Sequence, residues 1–518
     1  MQPPAERHRL GEMPSAVVTG PRTGSSSSST YRRRMLILSI CLSASLIVGL
    51  DMTIANVALP SIQRSLDASI PGLQWIIDAY SLVLACLLVL SGSIADRFGR
   101  RRMLKIGLTV FLVASVTSAL APSVGVLIAA RALQGVGGAM VTPATMSIVR
   151  NTFEDPRERA HAFGIYTGTF GVSLAAGPVL GGLLVSAVSW RAVFFINLPL
   201  VLIVIALAAR FLPESKASRA RRPDPVGQVL VFAALASLTY AIIEAGEIGL
   251  AASRVQVMLV IAAITGTGFV VYELRRREPL LELRFFRSVP FAGATAIGLC
   301  LAGSLGGFLF LSTLYLQDVR GLSPLHAALF LLPTAATLTA VAPLSGRLIG
   351  RFGARPSMVG GGLSLIVANL MLTRLDADTP ALYVLVAFAI FVLGFALTSP
   401  SVANTSLSSM PPEQAGVASA INSTSRQVGI TLGVAVLGAL VGAGTRGSLG
   451  PEFHDAARSS WLTLTGVGVV IVILGWVSTT PWARATARRT AARFAAPDEG
   501  VEPPLAVEPL PVGVNPPA

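Results

Sequence analysis

Long apolar runs, separated by short and mostly basic connections, set the pattern of this chain. A membrane-crossing helix needs about 20 mainly apolar residues, because the hydrocarbon layer is about 30 Å thick and each helical residue rises about 1.5 Å. Fourteen runs reach that length, at about 35–58, 73–95, 103–121, 124–148, 161–187, 191–211, 226–246, 255–273, 289–316, 324–345, 357–374, 380–401, 413–440 and 459–480. The third and fourth runs, and the fifth and sixth, are divided only by very short connections. The first run is too long for the core of a cleaved leader and reads as a retained span. Residues 1–31, with Ser25 to Ser29, and residues 482–518, with Pro503, Pro504, Pro516 and Pro517, hold too little apolar surface to fold alone. The pattern predicts an all-α integral membrane protein with two disordered tails.

Composition agrees. Hydrophobic residues make up 53% and charged residues 13% of the 518 positions, against about a quarter charged in soluble domains. A soluble multidomain enzyme is excluded. Three cysteines, Cys41, Cys86 and Cys300, all in apolar runs, exclude a disulfide scaffold. The formal charge of +14 raises the question of nucleic acid. The positions of the basic residues answer it. With the N-terminus inside, the outside holds Arg64, Arg191, Arg254, Arg320, Arg374, Arg446 and Arg458, and Arg131 and Arg426 fall within spans. All other basic residues lie inside, which satisfies the positive-inside rule and places both termini in the cytoplasm of a cell-membrane protein. Trp75, Trp190 and Trp461 fall at outer ends, and Trp476 and Trp482 near an inner one, as an aromatic belt requires.

The chain repeats itself. Gly92 to Arg101 (GSIADRFGRR) and Gly346 to Arg355 (GRLIGRFGAR) share Gly, Arg, Phe, Gly and a final Arg at an offset of 254. Both copies close an inside loop, after spans 2 and 10. Two parallel six-helix halves with two helices inserted between them give that spacing, and parallel halves are how major facilitator transporters are built. The expected division is a tail at 1–31, a bundle at 32–212, inserted helices at 213–284, a second bundle at 285–481 and a tail at 482–518.

Four local motifs then make the likeness specific. They are Leu50-Asp51 to Leu59-Pro60 in span 1, the Gly92 to Arg101 loop, Arg131-Ala-Leu-Gln134-Gly135-Val-Gly137-Gly138 in span 4, and Gly177-Pro178-Val-Leu-Gly181-Gly182 in span 5, followed by Trp190-Arg191 and Asn197-Leu-Pro199. With them, residues 32–482 resemble the fourteen-helix branch of the major facilitator superfamily, the drug:proton antiporters. The resemblance implies a monomeric exporter of a small hydrophobic or cationic drug or antibiotic. Its energy source would be the proton gradient, with no cofactor. Proton-coupled uptake of a metabolite is the alternative. A membrane enzyme or sensor would need a catalytic constellation or a sizeable soluble domain, and neither is visible.

The residues carry their own chemistry. Asp51 and Arg131 each lie about seven residues from an outer span end, roughly 10 Å deep. A carboxylate there must face the bundle interior or water. An Arg beside it favours the ionised form and desolvation the neutral one, an opposition that suits a proton carrier. The resemblance implies that role; a static ion pair is the simpler reading. Asp78 and Glu244 lie near outer ends, where solvated interfacial carboxylates are expected and an outer cation vestibule is the functional alternative. Gln134, on the Arg131 motif, and Asn422, Arg426 and Gln427, on a polar stretch of span 13, are candidates for the substrate path. In the loop after span 2, Gly92, Asp96, Arg97, Gly99 and Arg100 form a tight basic turn. Asp96 is placed to meet the positive end of another helix, and the resemblance implies a lock on the outward-open state. Gly171, Gly177, Pro178 and Gly181 belong to a face of small residues that allows close helix approach, with a proline that can kink the span. The resemblance ties that motif to antiport. No metal cluster and no nucleotide-binding loop appear.

Overall fold

A computed structural model describes residues 26–153, 155–216, 223–276, 279–411, 414–445 and 453–494. The described residues are helical throughout, in the order α1 (Ser26–Leu66), α2 (Ile70–Phe98), α3 (Arg100–Ala119), α4 (Val124–Thr152), α5 (Pro156–Ala187), α6 (Ala192–Phe195), α7 (Asn197–Phe211), α8 (Pro225–Ile248) and α9 (Ser253–Arg275). There follow α10 (Val289–Leu314), which ends in a π-helical turn (Tyr315–Val319), α11 (Pro324–Phe352), α12 (Ala354–Leu372), α13 (Ala381–Ser408), α14 (Ala415–Thr445), α15 (Phe453–Ser478) and α16 (Pro481–Ala492).

Among the described residues, thirteen helices are long and apolar enough to cross a membrane, with α6 and α7 forming one of them. The sequence reading counts fourteen. The difference is α12, which stands in the bundle against α13 and α15 but carries small residues in place of large apolar ones. The packing accounts for them: a methyl on Gly361 would lie 2.7 Å from Gly394 O, and one on Gly362 2.7 Å from Val472 Cγ2.

Two stretches assigned to the tails are helical. Ser26–Tyr31 extend α1, and Pro481 opens α16 with Thr480 capping it through Ala483 N. The Thr486 hydroxyl of α16 accepts from Val289 N, which fastens the helix to the start of α10. Residues 1–25 and 495–518 lie outside the described residues.

Helices α1–α7 pack among themselves, and so do α10–α15. With outer and inner taken from the arginine pattern, the two groups meet at their outer parts. Gln74 of α2 donates to Val434 O and Ala435 O of α14 at 3.2 and 2.8 Å. Arg64 of α1 pairs with Asp318 at 3.2 Å, and Gln317 donates to Val57 O at 2.9 Å. Gly182 of α5 abuts Pro324, Leu325 and Ala328 of α11. Toward the inner ends α5 and α11 separate: Gly164, Gly168, Gly346 and Gly350 have no neighbour within 4 Å of a built methyl. The molecule is closed on the outer side.

Of the two inserted helices, α9 packs chiefly on α8. α8 packs on both α2 and α14. Gln228 donates to Cys86 O at 2.6 Å, and Gly246 lies against Ala439. α8 therefore bridges the two groups.

Candidate transport site

Asp51 and Arg131 are both fully buried and meet directly, Arg131 Nη1 donating to Asp51 Oδ2 at 2.5 Å. Arg131 and Gln134 are three residues apart, so they share a helix face. Gln134 turns with it: its Oε1 accepts from Arg131 Nη1 at 2.9 Å and its Nε2 donates to Asp51 Oδ1 at 3.0 Å. The glycines of the same motif bring the neighbours in. A methyl on Gly135 would lie 2.6 Å from Tyr80 O, and one on Gly137 2.7 Å from Phe111 N. So α2 and α3 close around the arginine.

Two partners were not assigned from sequence. Asn197 Nδ2 donates to Asp51 Oδ1 at 3.0 Å and to Ser115 Oγ at 3.1 Å. Ser115 Oγ also accepts from Gln134 Nε2 at 2.7 Å. Asn197 is delivered by the break between α6 and α7, where Pro199 lacks the N–H that would continue the ladder back to Phe195. Its motif was visible; its role was not. Ser115 sits in an apolar run that offers no signal. Arg131 is completed by its Nε bond to Ile76 O at 3.0 Å and by the Tyr80 ring, 4.5 Å from the guanidinium.

The depth of Asp51 differs from expectation. α1 continues to Leu66, so Asp51 lies about four turns below the helix end. Its level is set by Arg131, which is two turns into α4 as expected.

A small cavity adjoins the cluster. Its walls are Met52, Thr53, Asn56, Ile77, Tyr80, Ser81 and Arg131 on one side and Leu305, Gly306, Ile430 and Val434 on the other. Arg131 thus faces the cavity and Asp51 together. The remaining walls are mostly apolar, with Thr53, Asn56 and Ser81 as polar points.

Other candidates divide. Glu244 stays near the outer end of α8 and pairs with Arg254 at 3.9 Å. Asn422, Arg426 and Gln427 lie one to two turns inward of Ile430 and are half-buried, away from the Asp51 cluster. Asp78 corrects the expectation of a solvated carboxylate: it is fully buried, because α8 and α14 cover that stretch of α2.

The loop after α2 is also corrected in part. Asp96 accepts from Arg100 Nε and Nη2 at 3.0 and 2.8 Å. The carboxylate that meets a helix N-terminus is Glu214, which accepts from Arg101 N and Arg102 N at the start of α3. Arg97 is exposed over the Phe98 ring, and Gly92 touches Pro143 at an ordinary distance. Gly99 has φ +117°, and a methyl there would lie 2.6 Å from Glu214 Oε1. Gly99→Ala is expected to cost about 1–3 kcal/mol and to lower the thermal midpoint of the purified protein. Adding Glu214→Ala should recover only the part due to the collision. An unchanged midpoint in Gly99→Ala would contradict this.

In α5, Gly177 and Gly181 pack on Thr53 and Ile54 of α1, Gly171 faces Leu338 of α11, and Pro178 is accommodated within the helix. The small-residue face therefore serves both neighbours, α1 and α11.

A model of the Major Facilitator Superfamily matches residues 41–434. The multidrug resistance protein Stp of Mycobacterium tuberculosis (strain CDC 1551 / Oshkosh) is 39% identical over 409 residues, 79% of this chain and 76% of its own. The tetracenomycin C resistance and export protein of Streptomyces glaucescens is 38% identical, covering 76% and 74%. The multidrug efflux pump LfrA of Mycolicibacterium smegmatis is 34% identical, covering 92% and 94%. Among solved structures, a bacterial homologue of the human lysosomal transporter Spinster, inward-facing and unoccupied, aligns with a TM-score of 0.63 at 19% identity. It covers 89% of this chain and 98% of its own, and the likeness concerns the fold.

Proposed function

This chain belongs to the major facilitator superfamily, a multi-pass membrane transporter and not an enzyme, and from that premise we propose that it exports small hydrophobic or cationic drugs or antibiotics in exchange for protons. The reading is supported by relatives named for multidrug or antibiotic resistance and export. The observation that carries it is the double contact of Arg131, which faces the cavity and holds Asp51.

The mechanism follows from that contact. In the outer-closed state Asp51 has Arg131, Gln134 and Asn197 as donors. A substrate entering from the inside meets the apolar walls and competes for Arg131 or alters its position. When the outer side opens, the cluster loosens, and a proton from outside neutralises Asp51 as the substrate leaves. Closure then returns the proton inward as Arg131 re-engages the carboxylate. The two groups of helices rock about this midplane cluster. α5 and α11 provide the outer seam. The cell membrane is the expected site, with both termini inside.

Inside-out vesicles from cells expressing the protein test the reading. An acidified lumen should drive ethidium or an antibiotic into the vesicles, and an uncoupler should abolish the uptake. Accumulation only in right-side-out vesicles would contradict export and favour uptake.

A further inference from the structure

Asp78 is fully buried, yet neither carboxyl oxygen receives a hydrogen bond from any described protein group. Its surroundings follow from its helix face. Gln74, Asp78 and Ser81 recur at steps of four and three, so they share one face of α2. Gln74 donates to Val434 O and Ala435 O, and the Ser81 and Thr431 hydroxyls are 2.8 Å apart, so that face meets α14. The adjoining face meets α8, where Trp75 packs on Tyr240 with ring centres 6.2 Å apart. Thr239, next to Tyr240, is also fully buried with a hydroxyl that has no partner among the described groups. Asp78 therefore lies where one bundle, the inserted helix and the other bundle come together.

The contrast with Asp51 is chemical. Asp51 has a guanidinium and two amides as donors and is suited to negative charge. Among the described residues Asp78 has neither donor nor counter-ion. The charged groups on the helices packed around it do not reach it. Arg131 on α4 and Asp51 on α1 bond each other. Arg426 on α14 lies more than a turn inward of Thr431. Glu244 on α8 pairs with Arg254, Glu247 is exposed at the outer end of α8, Asp224 is at the inner start of α8 with Arg276, and Arg100, Arg101, Arg102 and Lys105 are at the inner start of α3. Burying an ionised carboxyl without partners costs far more than burying a neutral one.

We propose that Asp78 is a second proton-carrying carboxyl, neutral while it is occluded between α2, α8 and α14 and ionised when the filled inner cavity gives it a path to inner water. The inference rests on the proton exchange proposed above and adds to it. The proton comes from outer water when the outer side is open, forms the carboxyl O–H, and is occluded by closure. It leaves toward the inner side when substrate fills the cavity lined by Ile77 and Ser81 while the outer α2–α14 contact stays closed. One proton is carried per turnover in addition to that of Asp51. The inserted helix α8 gains a function: it seals the carboxyl from lipid and from the outer water.

Purified protein in proteoliposomes, with ethidium as the probe, tests this by counting protons released per ethidium moved. Asp78→Asn should lower the count by one and leave ethidium affinity within a few-fold of wild type, and Asp78→Glu should restore the count. An unchanged count in Asp78→Asn overturns the inference while leaving exchange intact. No proton release by the wild type removes the exchange reading itself, and this inference with it. Wild-type protein gives a second measurement that does not depend on a folded variant. A hydrophobic carbodiimide, which reacts with neutral buried carboxyls, should modify Asp78 and leave Asp51 unmodified, as read by peptide mass spectrometry. Modification of Asp51 with Asp78 untouched would overturn the assignment.

Discussion

Arg131→Ala is expected to abolish export and to destabilise the protein by about 3–5 kcal/mol, the cost of leaving a buried charge without its partner. The guanidinium is the hub of the cluster: it bonds Asp51, Gln134 and Ile76 O and stacks on Tyr80. Arg131→Lys keeps the charge and loses the planar fork, so it should fold better than the alanine variant and still transport poorly. The double variant Asp51→Asn/Arg131→Gln removes both charges while nearly conserving shape. It should regain most of the lost stability and none of the export. Thermal unfolding in detergent together with vesicle transport checks all three. Additive stability losses in the double variant would show that the two side chains do not act as a pair.

Gly182→Leu is the second large effect. A methyl at Gly182 would lie 2.7 Å from Pro324 O and 2.9 Å from Ala328 Cβ, both across the outer seam between α5 and α11. Three further carbons cannot enter that space unless the helices part. The variant should insert and fold, because the seam is a contact between the two helix groups and not within either. It should be held open on the outer side and lose transport. A cysteine placed at Ser186, whose hydroxyl accepts from Leu325 N in the same seam, should react readily with an impermeant maleimide from outside in Gly182→Leu and slowly in its Gly182 counterpart. Equal reactivity with normal transport would contradict the role given to this seam.

How much of this was legible in the sequence depends on what each feature needs. Apolar length places the membrane helices, α12 among them at 357–374, although Gly360, Gly361 and Gly362 stand there in place of large apolar side chains. The cost of each charge in lipid pointed Asp51 and Arg131 inward, and their approach was implied by the family resemblance, which sets spans 1 and 4 side by side. Gln134, expected on the substrate path, instead joins the Asp51 cluster through its three-residue step from Arg131 and is not among the cavity walls named above. Asn197 and Ser115 were not legible, since their roles depend on a helix break and on packing between α3 and α7. Asp78 was misread for a related reason. Distance to a helix end says how deep a residue lies; it does not say that α8 and α14, remote in sequence, lie over it. The capping role expected of Asp96 belongs to Glu214, and only the fold brings residue 214 to the start of α3.

The central claim is that substrate leaves in exchange for protons bound at Asp51. Reconstituted wild type and Asp51→Asn should be compared for proton movement on addition of ethidium, with ethidium binding measured in the same samples. The account predicts proton release by the wild type, and binding without transport-linked release at this site in Asp51→Asn, so that net export against a gradient is lost. Full gradient-driven export by Asp51→Asn, with the wild-type proton count, would contradict it.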